Sequence, residues 1–139
     1  MTSARVGLHA FLAGALAVVA MVTLTPEGTG WSWGDPLTEL RWYATAPDSA
    51  ATALQLVGNL SLLVVPAALA VVLWPALGRP RRIAAVALAA GAGIEVLQWL
   101  LPLGRVVSPV DAVLNAIGAV VAALLVAGVA RSASRTWVV

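Results

Sequence analysis

Four apolar runs, Val6 to Leu24, Ala51 to Trp74, Ile83 to Leu101 and Val110 to Ala130, account for most of the chain. Each is long enough to cross a hydrocarbon core, which takes roughly 20 residues of α-helix. Inside lipid every backbone N–H and C=O must find a partner within the protein, so only helices or a closed barrel can span it. The alternating pattern of a membrane barrel is absent. The expected fold is therefore all-α, a four-transmembrane-helix bundle with residues 1–139 as a single membrane domain. A composition of 61% hydrophobic and 10% charged residues is far from that of an ordinary soluble domain. The first run passes into Thr25-Pro26-Glu27 without a small-x-small cleavage site, and it is read as an anchor.

The arginines orient the bundle. Arg5 precedes the first run, Arg79, Arg81 and Arg82 fill the connection between the second and third, and Arg131 and Arg135 follow the fourth. All of these fall on one side of a four-pass topology, whereas the other side holds Arg41 and Arg105. The positive-inside rule then predicts cytoplasmic N- and C-termini and a longer outward-facing loop, Pro26 to Ala50, between the first two helices. The basic pI of about 10.5 follows from this placement and gives no reason to expect a nucleic-acid partner. In the outward loop Trp31, Trp33, Trp42 and Tyr43 read as interface anchors, and "DPLTELRWYA" reads as a short helix opened by Asp35 with Pro36 at its first position. The chain has no cysteine, and its single histidine, His9, has no second His or Cys to build a metal site with, so neither a metal nor a cofactor is expected.

The informative residues are the polar ones inside the apolar runs. Glu95 and Gln98 are three apart, and Asp111 and Asn115 are four apart, so each pair shares one helix face. With the topology above, Asn59, Glu95, Gln98, Arg105, Asp111 and Asn115 all fall at one depth, near the outer leaflet. An ionisable residue within a membrane segment costs about 2.5 to 3.5 kcal/mol on the insertion scale, which makes two carboxylates an expensive way to hold helices together. The pattern predicts a cluster of Glu95, Arg105 and Asp111, with Gln98, Asn115 and Asn59 completing its hydrogen bonds. Structural glue is the competing explanation, because interhelical hydrogen bonds and satisfied ion pairs need no ligand. Small residues four apart, Ala89 with Gly93 and Gly118 with Ala122, mark Gly93 and Gly118 as helix-packing positions, and Pro66 should kink the second helix.

Taken together, Glu95-x-x-Gln98, Gly104-Arg105 and Asp111-x-x-x-Asn115-x-x-Gly118, with Asn59 and Pro66 upstream, resemble the VanZ-like family of small bacterial membrane proteins over roughly residues 50–128. In that family acids often stand between the arginine and the aspartate, where this chain has Ser108 and Val110. The resemblance implies a bacterial cytoplasmic membrane protein and a link with low-level resistance to the lipoglycopeptide teicoplanin, which makes a lipoglycopeptide a candidate partner. The preferred function is a binding module for a membrane lipid or a lipid-linked head group from the cell envelope. In it Arg105 would meet an anionic group, Glu95 and Asp111 would meet hydroxyls or amines, and Gln98, Asn115 and Asn59 would orient the ligand. The alternative is an intramembrane enzyme acting on a lipid or cell-wall intermediate, with Glu95 and Asp111 as catalytic acid and base. A third reading is a proton-coupled carrier that titrates Glu95.

Overall fold

The computed structural model describes residues 3–46 and 48–135; the side chain of Arg135, counted above toward the basic side, lies outside what is described. Four helical stretches are long and apolar enough to cross a membrane: Ser3–Leu24, Ala50–Leu73, Pro80–Leu100 and Pro109–Ala133. In chain order the elements are α1 (Ser3–Leu24), β1 (Gly30–Trp33), α2 (Pro36–Thr45), α3 (Ala50–Leu62), α4 (Val64–Leu73), α5 (Pro80–Leu100), β2 (Leu103–Val107) and α6 (Pro109–Arg135). A 3-10 turn, Pro75–Gly78, joins α4 to α5.

The second span is divided at Leu63, between α3 and α4. Pro66 explains the break. It has no N–H to offer the carbonyl of Leu62, and its ring crowds that carbonyl, so regular helix resumes only with the bond from the Ala67 N–H to Leu63 O at 3.0 Å. The short helix expected in the long loop is α2. Asp35 caps it by accepting the Thr38 N–H at 2.8 Å, and Pro36 occupies the first turn, where its missing donor costs nothing. Hydrogen bonding from the Thr38 side chain and from its backbone N–H holds the Asp35 carboxyl below its ordinary range.

Helix α6 is the centre of the bundle, packed against α3, α4 and α5. Its contact face is a stripe of Ala116, Ala119, Ala123 and Ala127, all nearly inaccessible. Without large side chains in the way, the neighbouring helices approach closely, which is how membrane helices gain contact in a solvent as apolar as their own surfaces. Gly118 marks the tightest approach, because a Cβ there would stand 1.8 Å from the Leu60 carbonyl oxygen of α3. On α5 the close contact is made by Gly91, where a Cβ would stand 2.4 Å from Ala112 O. The expected packing role of Gly93 is not found, since a side chain there would meet nothing within 4 Å. Helix α1 is peripheral, with only Val19 and Thr23 buried, and His9 bonds the Arg5 carbonyl at 2.7 Å and meets the Trp74 ring edge-on.

The all-α bundle carries one short two-stranded ribbon. The connection between α5 and α6 is a strand, β2, paired in parallel with β1 from the long loop. Leu103 O accepts the N–H groups of Glu27 and Gly28, and Val107 O accepts that of Gly34, so the loop is fastened along the connection. Gly104 adopts φ +67°, and a Cβ there would lie 2.5 Å from the Gly28 backbone; only glycine fits both the angle and the approach. Trp31 donates its indole N–H to Trp99 O at 2.8 Å, and Trp33 packs edge-on against the Trp99 ring. The ribbon and α2 thus form a cap over one end of the bundle. At the opposite end Arg5 reaches the Leu73 carbonyl, near Arg79, Arg81 and Arg82.

Candidate functional site

Beneath the cap lies a cavity of about 330 Å³. Asn59, Glu95, Gln98, Arg105, Asp111 and Asn115, the polar residues singled out from the sequence, all line it. The α3, α5 and α6 helices each contribute one or two of these residues from a single face, and β2 contributes Arg105. The juxtaposition follows from the fold: α5 and α6 are antiparallel neighbours joined by the short β2 connection, and α3 lies along the other side of α6.

Asp111 is the hub. One of its oxygens accepts the Asn59 amide N–H and lies 3.5 Å from the Tyr43 hydroxyl; the other accepts the Gln55 amide at 3.2 Å. Tyr43 has a single proton, and its 2.7 Å bond to Glu39 takes it, so the Asp111 contact is the weaker of the two. Burial, reinforced by the bond to Glu39, pushes the Tyr43 phenol above its ordinary value and keeps it a donor. Ser108 ties the cap to α6. Its hydroxyl donates to Glu39 and accepts the N–H groups of Val110 and Asp111 at 3.1 and 3.2 Å, while its own N–H donates to Glu95 at 2.8 Å. It therefore serves as the N-cap of α6 and links two carboxylates from different elements.

The expected Glu95–Arg105–Asp111 cluster is not formed. Arg105 pairs with Glu27 at 2.8 Å and donates Nε–H to the Thr25 carbonyl at 2.9 Å. The cause is the ribbon, which draws the segment after α1 alongside β2 and supplies a carboxylate and a carbonyl before Glu95 or Asp111 is reached. Gln98 also works locally, donating to Thr23 O at 2.9 Å and fastening the end of α1 to α5. Asn115 differs from the rest: it is 1% exposed, and its Oδ1 has no hydrogen-bond partner.

Glu39, Tyr43, Gln55 and Ser108 belong to this network and were not anticipated as site residues. Spacing carried part of the signal, because Glu39 with Tyr43 and Gln55 with Asn59 are each four apart and so share a helix face. Tyr43 spends its hydroxyl proton on Glu39 within this network, whereas Trp31 and Trp33 are exposed.

A second space, an apolar groove of about 470 Å³, runs along α5 and α6 beside the ribbon, between Trp33, Trp99, Leu88 and Val113. Glu95 forms part of the wall of both spaces. Among the described residues no group of three or more His, Cys, Asp or Glu side chains is placed to hold a metal ion.

The family model described as VanZ/LLP1 matches residues 10–131. No curated protein and no solved structure matches the chain.

Proposed function

The chain belongs to the VanZ/LLP1 family, and from that premise we propose that it is a membrane binding module. Its ligand is an amphipathic or lipid-linked molecule of the cell envelope, with the polar head group in the cavity under the cap and the apolar chain along the helices. The observation that carries this reading is Asn115, a lining residue of the polar cavity whose buried Oδ1 has no partner. Burying a polar atom without a partner costs about 1 to 3 kcal/mol, a cost that a ligand donor reaching Asn115 would relieve; Thr52 Oγ1 on α3 is likewise buried without a partner. The adjoining apolar groove supports the same reading, since a head group and a chain need adjacent spaces of opposite character.

The cap faces outward and both termini lie in the cytoplasm. The distribution of arginines supports this, with Arg5, Arg79, Arg81, Arg82 and Arg131 at the end away from the cap. A head group would then be drawn from the outer leaflet, where lipid-linked wall precursors and the lipoglycopeptides that bind them meet. Cysteine placed at the exposed position Ser32 should react with an impermeant maleimide on intact cells, and cysteine at Arg81 only after permeabilisation; the reverse pattern would overturn the orientation.

The function itself is tested by extracting and quantifying the lipids that remain with the purified protein. The expected outcome is one lipid class enriched over the surrounding membrane and reduced several-fold in Arg105→Ala and Glu95→Gln variants that remain folded. Retained lipid that mirrors the bulk membrane in every variant would return the cluster to structural glue. Chemical conversion of the retained lipid, lost in Glu95→Gln, would favour catalysis by Glu95 and Asp111 over binding.

A further inference from the structure

The cavity is more acidic than the spacing of its residues suggests. Glu27, Glu95 and Asp111 line it with Arg105 as the one cation among the lining residues, and Arg105 is matched by Glu27 at 2.8 Å. Glu95 and Asp111 therefore face the cavity with no ion pair to either of them among the described residues. Glu95 accepts one backbone N–H, from Ser108, and the hydrogen bonds to Asp111 come from neutral amide and hydroxyl groups. The orphaned Oδ1 of Asn115, 1% exposed, is a second and independent sign, and it too is an acceptor. An acceptor without a donor, beside two carboxyl groups without a counter-ion, calls for a ligand that brings N–H groups and positive charge. A metal ion does not suit, since no set of three or more potential ligands is grouped to hold one among the described residues.

We propose that the head group bound here ends in a primary ammonium and belongs to a lipid, an assignment that rests on the head-group reading above. The ammonium sits among Glu95, Asp111 and Asn115, where its three N–H donors meet acceptors from α5 and α6. Arg105, on the same wall, suits the phosphodiester that joins such a head group to its glycerol. The acyl chain leaves past Glu95, the residue common to both spaces, into the apolar groove between Trp33 and Val113. A quaternary ammonium has the charge but no N–H to donate, and a glycerol head group has donors without the charge, so both should bind less well.

The test is native mass spectrometry of the intact protein titrated with chain-matched phosphatidylethanolamine, phosphatidylcholine and phosphatidylglycerol, with glycerophosphoethanolamine as a chain-free competitor. The expected result is phosphatidylethanolamine bound about tenfold or more tightly than either other lipid, a difference of about 1.4 kcal/mol or more. The chain-free amine should compete poorly, and Glu95→Gln should remove the preference. Selective binding of phosphatidylglycerol, lost on Arg105→Ala, would overturn the ammonium assignment and leave the head-group site standing. Competition by glycerophosphoethanolamine as effective as by the lipid would overturn the lipid part and indicate a soluble amine. Equal, weak binding of all three lipids, unchanged by either substitution, would remove both the assignment and the site. The comparison among lipids is made on the wild-type protein, so it stands even where a variant fails to fold.

Discussion

Gly118→Ala is expected to destabilise the bundle by about 3 kcal/mol or more, the upper end of the usual overpacking range. The added methyl would have to share space with the Leu60 carbonyl oxygen, 1.8 Å from its ideal position. Relief by a rotamer change is impossible, because the obstacle is backbone and alanine has no rotamer. The two helices must separate instead, and separation removes the contact along the alanine stripe of α6. Gly93→Ala provides the control: with nothing within 4 Å of the new methyl, the change should be neutral or slightly stabilising, since alanine is the better helix former. Thermal unfolding of the two variants in one detergent gives the comparison. Equal midpoints would mean that α3 and α6 do not approach as closely as described.

Asp111→Asn should have the second-largest effect, about 2 to 4 kcal/mol of lost stability, together with loss of head-group retention. The carboxyl group accepts from Asn59 and Gln55 on α3, with Tyr43 of α2 close by, and leaving a donor of this kind unsatisfied costs about 1 to 3 kcal/mol. An amide of the same shape replaces one accepting oxygen with an NH2 group that must face these donors. Joining Asp111→Asn with Asn59→Asp restores one donor and one acceptor in the same contact, so the double variant should recover part of the loss. Additive losses in the double variant would show that the two side chains act independently. Stability unchanged in Asp111→Asn would remove Asp111 as the link between α2, α3 and α6.

The spans were readable because bilayer thickness fixes how long an apolar run must be. Val6 to Leu24, for example, becomes Ser3–Leu24, and Ile83 to Leu101 becomes Pro80–Leu100. The polar residues were readable for a related reason, since in lipid a side chain such as Glu95 or Asn115 stands out against its surroundings and its spacing gives its face. What the spacing left open was the partner. The Leu103–Val107 strand is a five-residue stretch between Pro102 and Pro109, and its mate lies about 70 residues earlier, at Gly30–Trp33, beyond the reach of any local pattern. That pairing decides where Arg105 goes, so the mistaken Arg105 cluster and the unforeseen ribbon have one cause. Glu39 and Tyr43 entered through α2 in the same way, carried by a cap whose docking no periodicity encodes. The Gly93 assignment failed for a simpler reason. Ala87 with Gly91 and Ala89 with Gly93 have identical spacing, but a shift of two residues turns a helix by about 200°, to the opposite face. In the structure Ala87 and Gly91 are the buried pair.

The most direct test of the cavity as a head-group site is a crystal structure of the protein grown from a lipid mesophase doped with phosphatidylethanolamine. The prediction is continuous density entering from the groove beside Trp33 and Trp99, passing Glu95, and ending within hydrogen-bond distance of Asn115 Oδ1. A cavity occupied only by water, with Arg105 turned from Glu27 onto Glu95 and Asp111, would contradict it and make the cluster a satisfied structural network.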